Sequence, residues 1–502
     1  MSTDSSTTKT RVIVTTDMEV DDMNSVIHLA LYLNLLDVDA FVYTSSQYHF
    51  LGDGTHTLAQ ANPHWRTKGV RSYEGEKISG PDPEAGQLTS YRPFPMGWIE
   101  NLWSHEYAEA LPYLQANAAA AGEPAFPEVD ELLARTYMGN VAFEGDVREE
   151  TDGSRVIADA ILDDDPRTLW LLSWGGMNTI VRAFMSIAER YQGTPDWPTV
   201  QARVYDKVRV MGVMDGVGQD NSWLDHGVAL FPELQLLRVP FTYGGYVDAK
   251  CAQPDSINLF RAPWPEQHVT RGNGTLMARY MLYGDGKHYE GEPEKYQFGE
   301  HATLDWGIPG MEPLVFEPGD FMAEGDSMTY IPLLPFGLRG AAEEGFPTVL
   351  GELFADGTPA PAGAPSFTSM AELFKPKDSN PNPFLRCYQE DFAARAQWCA
   401  HEPDECSHAP LVCAVTPDPV ASAGEQVELA AQVSDPDGTG YLGFWRCYEP
   451  DGSFSWQAEG RTASFPVPTD AQAGARYVLT FTARGLGERP STRYAQVAVT
   501  VA

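Results

Sequence analysis

The stretch from Arg11 to Asp22 reads R-V-I-V-T-T-D-M-E-V-D-D and decides how the N-terminal part of the chain folds. Its first six residues are β-branched and apolar apart from Arg11, which is typical of a buried strand in a parallel sheet. Apolar residues then recur at helical spacing from Met23 to Leu35, and Asp39 to Tyr43 predicts a second strand. The sequence therefore predicts a β-α-β unit of an open α/β sheet.

Four acidic residues, Asp17, Glu19, Asp21 and Asp22, lie where the first strand should end. Ligands of open α/β sheets bind outside the carboxyl ends of the strands. Acids this close raise one another's pKa unless a cation lies among them, and oxygen ligands suit Ca²⁺ or Mg²⁺. Helix capping by Asp21 and Asp22 is the alternative, but capping explains only one or two of the acids. We therefore expect a metal site here.

Further elements follow at regular intervals, and several end in polar loops. Strands are predicted over Thr168–Ser173, Lys207–Met214 and Gln235–Phe241, and helices over Trp98–Ala119, Val129–Tyr137, Ser154–Leu162 (with Ser154 as the N-cap) and Thr179–Tyr191. Gln47 lies in the polar loop after the second strand, where it could meet sugar hydroxyls, although an ordinary βα loop is the alternative. A long insertion at about residues 52–97 could cover the site. Two glycines, Gly175 and Gly176, allow close approach of the backbone to a ligand.

Two sets of motifs carry a family resemblance. The run T-D-M-E-V-D-D resembles the N-terminal aspartate motif of the nucleoside hydrolases, which bind one Ca²⁺ and cleave N-ribosides. More closely, V-I-V-T-T-D-M-E-V-D-D-M-N-S, V-Y-T-S-S-Q and L-W-L-L-S-W-G-G-M-N-T resemble a bacterial family described as nucleoside-hydrolase-like and cellulose-binding. That resemblance implies an open, mostly parallel sheet flanked by helices, followed by a C-terminal β-domain. Met18 and Glu19 replace the usual Pro-Gly of the true hydrolases, and Thr15 replaces their first Asp.

The resemblance also implies roles for individual residues. The calcium ligands would be Asp17, Asp22, the main-chain carbonyl of Met177, and Asp326. Asp17 would in addition be the general base that takes a proton from calcium-bound water, and Asp21 would hold the sugar 2-hydroxyl. Further substrate contacts would come from Asn178, Asp220 and Asn221, in addition to Gln47 from its place in the polar loop, with Asn178 also ordering its turn. A solvated loop is the alternative for Asp220 and Asn221. Gly325 stands where the hydrolases have the His of a His-Asp pair, so their general acid is absent at that point.

The composition narrows the classes of partner. The 502-residue chain has a formal net charge of −36, which argues against binding nucleic acid or an anionic membrane by charge. No apolar run is long enough to span a membrane, and the first ten residues have no apolar signal region, so we expect a cytoplasmic protein. The expected partner is a small-molecule glycoside or a carbohydrate. A homo-oligomer is left open.

The pattern changes near the C-terminus. We expect an α/β domain over residues 1–405, which includes a short helix over Asp391–Cys399, and an Ig-like antiparallel β-sandwich over residues 406–502. Alternating runs such as Tyr477–Phe481, separated by turn clusters, indicate the sandwich. Trp445 could belong to a carbohydrate-binding platform, but core packing is favoured for a large aromatic residue in a sheet.

Three functions fit these features. The first is a calcium-dependent glycoside hydrolase that cleaves an N- or O-linked pentofuranoside. The second is a non-catalytic protein that binds cellulose or another polysaccharide, and the third is an interaction protein whose acidic cluster is plain surface. We favour the hydrolase because perturbed carboxylates in a cleft are functional more often than not.

Overall fold

The computed structural model describes the residues 9–61, 71–73, 76–79, 89–91, 96–212, 220–238, 256–287, 303–304, 314–321, 324–343, 346, 348, 354–355, 384–448 and 457–502. In its N-terminal part the strands are β1 (Thr10–Thr16), β2 (Leu36–Tyr43), β3 (Arg71–Tyr73), β4 (Glu76–Ser79), β5 (Thr136–Met138), β6 (Leu169–Ser173), β7 (Val208–Gly212), β8 (Leu236–Arg238), β9 (Thr303–Leu304), β10 (Leu314–Val315) and β11 (Phe354–Ala355).

A seven-stranded sheet in the order β11-β8-β7-β6-β1-β2-β5 forms the centre of this part. The strands from β8 to β5 run parallel, and only β11 is antiparallel to its neighbour. Strand β1 lies between β2 and β6, so the loops that follow all three strands meet at one edge. The expected open, mostly parallel sheet is confirmed.

Helices cover both faces of the sheet. They are α1 (Val20–Ala30), α2 (Leu58–Ala61), α3 (Trp98–Leu102), α4 (Ala108–Ala121), α5 (Val129–Ala134), α6 (Asp152–Leu162), α7 (Asn178–Tyr191), α8 (Trp197–Lys207), α9 (Val228–Leu230), α10 (Gly274–Ala278) and α11 (Leu385–Gln397). Alternate residues of β1 point to opposite faces of the sheet and belong to two hydrophobic cores. Val12 and Val14 pack with α1, and Ile13 packs with α6 and α7. No helix among the described residues is long and apolar enough to cross a membrane.

Two local predictions were wrong. The helix predicted over Val129–Tyr137 ends at Ala134, and Thr136–Met138 forms β5 because it pairs with Phe41–Tyr43, far away in the chain. The helix predicted to start at Ser154 starts earlier, at Asp152. Its N-cap is Thr151, and Ser154 occupies the third helical position of a capping box, so both side chains satisfy free N–H groups.

The C-terminal region is built from two sheets around one core. Its strands are β12 (Leu411–Ala414), β13 (Val420–Ala421), β14 (Gln426–Ser434), β15 (Tyr441–Tyr448), β16 (Gln457–Glu459), β17 (Thr462–Pro466), β18 (Arg476–Gly485) and β19 (Thr492–Val501). The sheet β12-β14-β17 and the sheet β13-β19-β18-β15-β16 are antiparallel apart from the β13–β19 pair. Residues of both sheets, Trp445 among them, share a single apolar core. The predicted antiparallel β-domain is confirmed, and Trp445 is a core residue.

A buried network of charges joins this region to the α/β part. Asp391 of α11 accepts a hydrogen bond from Arg493 of β19 at 2.7 Å and another from the hydroxyl of Tyr32 at 3.0 Å. Arg395, one turn further along α11, pairs with Asp391 at 3.3 Å and with Glu123 at 2.6 Å. Burial alone would raise the pKa of Asp391, but the two arginine charges outweigh it and hold that pKa below its usual value.

Candidate metal and substrate site

The loops after three neighbouring strands meet at the end of β1. The carbonyl of Thr16 accepts a hydrogen bond from the N–H of Thr44, which follows β2, at 2.8 Å. The carbonyl of Thr15 accepts one from the N–H of Trp174, which follows β6, at 2.9 Å. Asp17 comes directly after these two threonines and is fully buried. Its carboxylate therefore lies inside the junction of the three loops.

Three carboxylates gather beside Asp17. Asp21 and Asp22 lie in the first turn of α1, and Asp326 lies in the 3₁₀ segment Gly325–Thr329. One oxygen from each of the three lies within 4.8 Å of the others. Asp22 and Asp326 are buried, and no described residue donates a hydrogen bond to Oδ2 of Asp326. A buried group of carboxylate oxygens of this kind matches the ligands that hard divalent cations prefer.

The pKa values of the buried acids show how strongly they repel one another. Burial raises the pKa of Asp22 well above its usual value, and the charges of Asp326, Asp17 and Asp21 raise it further. The pKa of Asp326 is raised by burial and then by Asp21, Asp17 and Glu19. The hydroxyl of Thr16 hydrogen bonds to Asp22 and offsets part of this effect. A divalent cation among the acids would favour their charged forms.

In its carboxylates, the group of three differs from the predicted ligand set in one member. Asp21, predicted as a sugar contact, stands with Asp22 and Asp326, whereas Asp17 lies outside this group and acts on it through its charge. The neighbouring glycine explains the position of Asp21: a Cβ atom at Gly325 would lie only 2.6 Å from Oδ2 of Asp21. Whether Asp17 or Asp21 completes the metal site stays a prediction.

The turn between Asp17 and Glu19 is strained. Met18 has a φ of 60°, a left-handed conformation that costs a residue with a side chain about 1–2 kcal/mol. Its N–H donates to Oγ1 of Thr16 at 3.1 Å, which helps to hold the turn. Such strain is often found at functional sites, where the surrounding structure maintains it.

Two glycines after β6 allow close contacts with acidic residues. A Cβ atom at Gly175 would lie 2.8 Å from Cβ of Asp17, and one at Gly176 would lie 2.3 Å from Oδ2 of Asp220. The close approach that the sequence predicts for a ligand is thus made, in the described structure, to two carboxylate side chains. Any larger residue at either position would push these acids out of place.

The side-chain amide and the backbone N–H of Asn178 are hydrogen-bonded to other residues of the protein. Its amide nitrogen donates to Oγ of Ser45 at 2.9 Å and to the carbonyl of Asn140 at 2.8 Å, and its Oδ1 accepts from Thr44 at 2.7 Å. Its backbone N–H donates to Asp220 at 3.0 Å. These bonds hold Asn178 in the turn after β6, and its predicted contact with a sugar stays a prediction.

The remaining predicted residues lie around the same edge. Asp220 is buried and also accepts hydrogen bonds from the N–H and hydroxyl of Ser222, at 2.8 and 2.6 Å. Asn221 is half-buried beside it, and Gln47 is buried in the loop after β2. The carbonyl of Met177 accepts the N–H of Val181 at 2.8 Å, so a cation would need its second lone pair. The roles predicted for these residues stay predictions.

A buried polar network behind the acids was not predicted from the sequence. Nδ1 of His28 lies 2.7 Å from Oε2 of Glu324, and Oγ of Ser327 donates to the same oxygen at 2.7 Å. Oγ of Ser25 lies 3.1 Å from Oγ of Ser327. The network fixes α1 to the segment that carries Asp326. Its signal in the sequence is the spacing of Asp21, Ser25 and His28, which places three polar residues on one face of a buried helix.

A second imidazole–carboxylate pair joins the loop after β2 to the turn that follows Asp17. Nε2 of His49 lies 3.8 Å from Oε1 of Glu19, and both side chains are buried. The N–H groups of Tyr48 and His49 donate to Oγ of Ser46 at 2.9 and 3.2 Å, and the N–H of Ser46 donates to the carbonyl of His49 at 2.8 Å. This closed turn fixes His49 at the end of the loop after β2.

The fold and the site define an open-sheet α/β protein with buried carboxylates after its central strand, where such sheets bind their ligands. The chain belongs to the family described as "Cellulose-binding Sde182, nucleoside hydrolase-like domain", whose model matches residues 11–349. A search of curated proteins found no match.

Solved structures agree with the fold. A nucleoside hydrolase-related hypothetical protein from Saccharophagus degradans, described as associated with carbohydrate metabolism, is 20% identical with a TM-score of 0.61. The match covers 98% of this chain and 100% of that one, so the likeness includes the β-domain. Two further matches cover only a small part of the chain. One is a ScaB type I cohesin from Pseudobacteroides cellulosolvens, which matches 19% of the chain at 13% identity with a TM-score of 0.13. The other is a PKD domain from Thermoplasmatales archaeon SCGC AB-540-F20, which matches 18% of the chain at 16% identity with a TM-score of 0.14. Each of these two matches covers 92% of the solved chain, and neither carries an argument about function.

Proposed function

We propose that the protein is a calcium-dependent glycoside hydrolase that cleaves an N- or O-linked pentofuranoside. The observation that carries the proposal is the convergence of Asp21, Asp22 and Asp326 within 4.8 Å, with Asp17 buried beside them at the end of β1. These residues come from parts of the chain about 300 positions apart, which capping of a single helix does not explain.

The donor set fits calcium. It consists only of carboxylate oxygens, which suit Ca²⁺ or Mg²⁺ rather than zinc or copper. One of them, Oδ2 of Asp326, is buried without a hydrogen bond from a described residue, as expected of an atom that holds a cation. Asp22 and Asp326 would hold the ion, together with Asp21 or Asp17. When bound, calcium supplies positive charge that lowers the pKa of a nearby water and attracts sugar hydroxyl oxygens.

The position of Asp17 supports a role as the general base. It lies at the meeting point of the loops after β1, β2 and β6, where a substrate of an open α/β sheet is expected. Calcium lowers the pKa of water less than zinc does, so a carboxylate must accept the proton. Gly175 allows the backbone after β6 to approach the Asp17 side chain closely. Asp21 would hold the sugar 2-hydroxyl in the oxocarbenium-like transition state.

The direct test replaces Asp17 by Asn. We expect kcat/KM on the best furanoside to fall by about 10²- to 10⁴-fold, the usual contribution of a general base. The substrate comes from a screen of nitrophenyl furanosides and nucleosides with and without a calcium chelator. Asp152→Asn is the matched control, since this acid lies in the first turn of α6 and its side chain is 73% exposed. Full activity of Asp17→Asn, with its fold intact by circular dichroism, would refute the assignment.

A non-catalytic carbohydrate-binding protein is the second candidate. The description of the matched family as cellulose-binding favours it. In this case the whole chain should be retained on insoluble cellulose or another polysaccharide, and no furanoside should be turned over. Retention that Asp22→Asn abolishes would place the binding at the acidic edge of the sheet.

A further inference from the structure

The leaving group needs a proton donor that the position before Asp326 does not supply. A base or an alkoxide departs poorly as an anion, so glycoside hydrolysis ordinarily uses a general acid. Gly325 has no side chain, and the geometry explains why none is accepted there, because a Cβ atom would lie 2.6 Å from Oδ2 of Asp21. If the protein is the hydrolase proposed above, the proton must come from another residue at this edge.

His49 is carried by a loop that meets the end of β1. The loop after β2 is hydrogen-bonded to the end of β1 through Thr44 and to the turn after β6 through Ser45, whose carbonyl accepts the N–H of Gly176 at 3.0 Å. The Ser46 turn then holds His49 against Glu19, which lies between Asp17 and Asp21 in the chain. The imidazole is therefore carried by the same loop junction that holds the proposed base.

Glu19 gives the imidazole a charged partner. The two side chains lie 3.8 Å apart, which is an ion-pair distance rather than a hydrogen bond, and both are buried. A carboxylate opposite an imidazole favours the protonated form of the ring. Glu19 does not belong to the group formed by Asp21, Asp22 and Asp326.

Other titratable groups near the site are less suited to donate a proton. His28 is stacked on Phe392 with ring centroids 3.4 Å apart, and its Nδ1 faces the fully buried Glu324. Asp220 already accepts a hydrogen bond from a backbone N–H group at each carboxylate oxygen, from Asn178 and from Ser222.

We infer that His49, held by Glu19, is the general acid that protonates the leaving group. This inference rests on the proposed hydrolase function. As the glycosidic bond breaks, the proton on His49 passes to the departing nitrogen or oxygen. The attacking water gives one proton to Asp17 and forms the new bond to the anomeric carbon. Release of the proton from Asp17 and uptake of one by His49 restore the starting state, so the net reaction consumes one water.

The test compares substrates that differ in their leaving group. A nitrophenolate departs without help, whereas a methoxide or a purine base needs protonation. His49→Gln should keep kcat/KM on the nitrophenyl furanoside within about tenfold, and should lose about 10²- to 10⁴-fold on the methyl furanoside or the nucleoside. His56→Gln is the matched control, because His56 lies on the surface seven residues on and also pairs with a carboxylate, that of Asp53 at 2.9 Å. It should change neither rate.

Three results would overturn the inference, and they are distinguishable. Equal losses on both classes of substrate in a folded His49→Gln variant, with calcium binding unchanged by calorimetry, would show a structural role only. A wild-type kcat/KM that falls steeply with leaving-group basicity would show that no acid assists, whether or not the variant folds. Wild-type protein inactive on every furanoside would remove the proposed function itself, and the inference with it.

Discussion

Replacing Gly325 by Ala tests whether Asp21 is a metal ligand or a sugar contact. The new Cβ would lie 2.6 Å from Oδ2 of Asp21, and ordinary contact begins near 3.4 Å, so this oxygen must move by about 0.8 Å. Metal–ligand distances tolerate only about 0.2 Å. A shift of this size, comparable to the loss of a supporting contact, should weaken calcium binding by about 10- to 100-fold, or about 1.4–2.7 kcal/mol.

The assay for Gly325→Ala is calorimetric titration of the chelator-treated protein with calcium. Gly212→Ala is the matched control: it ends β7 at the same edge of the sheet, and its Cβ would meet only Ser173 at an ordinary 3.7 Å. The chain should stay folded, because the atom displaced is the far end of a flexible side chain. An unchanged calcium affinity, with a raised KM for the furanoside, would refute a metal role for Asp21 and support its predicted contact with the sugar.

Two further predictions concern stability. Hydrogen bonds from Arg11 and Lys207 hold the pKa of Asp163 at about 2, although partial burial opposes them, so the stabilisation from this carboxylate is complete above its unfolded pKa near 4 and is lost as the pH falls towards 2. Urea unfolding of wild type and Asp163→Asn should therefore show a difference in unfolding free energy that shrinks over this range, and a constant difference would contradict the prediction. Replacing Arg493 by Met leaves Asp391 with one of its two arginine partners in a buried setting, and should lower the unfolding free energy by about 3–5 kcal/mol. A loss below about 1 kcal/mol would show that Arg395 alone is sufficient.

The sequence predicted best what lies close together along the chain. The strand from Arg11 to Thr16 follows from local composition. The acids from Asp17 to Asp22 come directly after this strand, so they must lie at the edge of the sheet where it ends. The residue Asp326 followed from the order of motifs in a family resemblance, and the structure places it beside Asp22.

Contacts between distant residues could not be predicted in the same way. The pairing of β5 with β2 decides whether Thr136–Met138 is helix or strand, and no local pattern encodes it. The contact of Gly325 with Asp21 and the pair formed by His28 and Glu324 depend on how loops about 300 residues apart meet. In the sequence, the first contact is indicated only by the missing side chain of Gly325, and the second only by the polar face of an otherwise apolar helix. Neither feature predicts a contact until the partner residue is known.

The charges shared by α11 and β19 have a practical meaning for carbohydrate-binding experiments. An excised C-terminal fragment would carry Arg493 without the aspartate it faces, and the truncated remainder would keep Asp391 with half of its counter-charge. Each piece would expose an ionic surface that the intact molecule never shows to solvent. Affinity for a polysaccharide measured on either fragment would then report this artificial surface, so ligand assignment is better made by point substitution in the undivided chain.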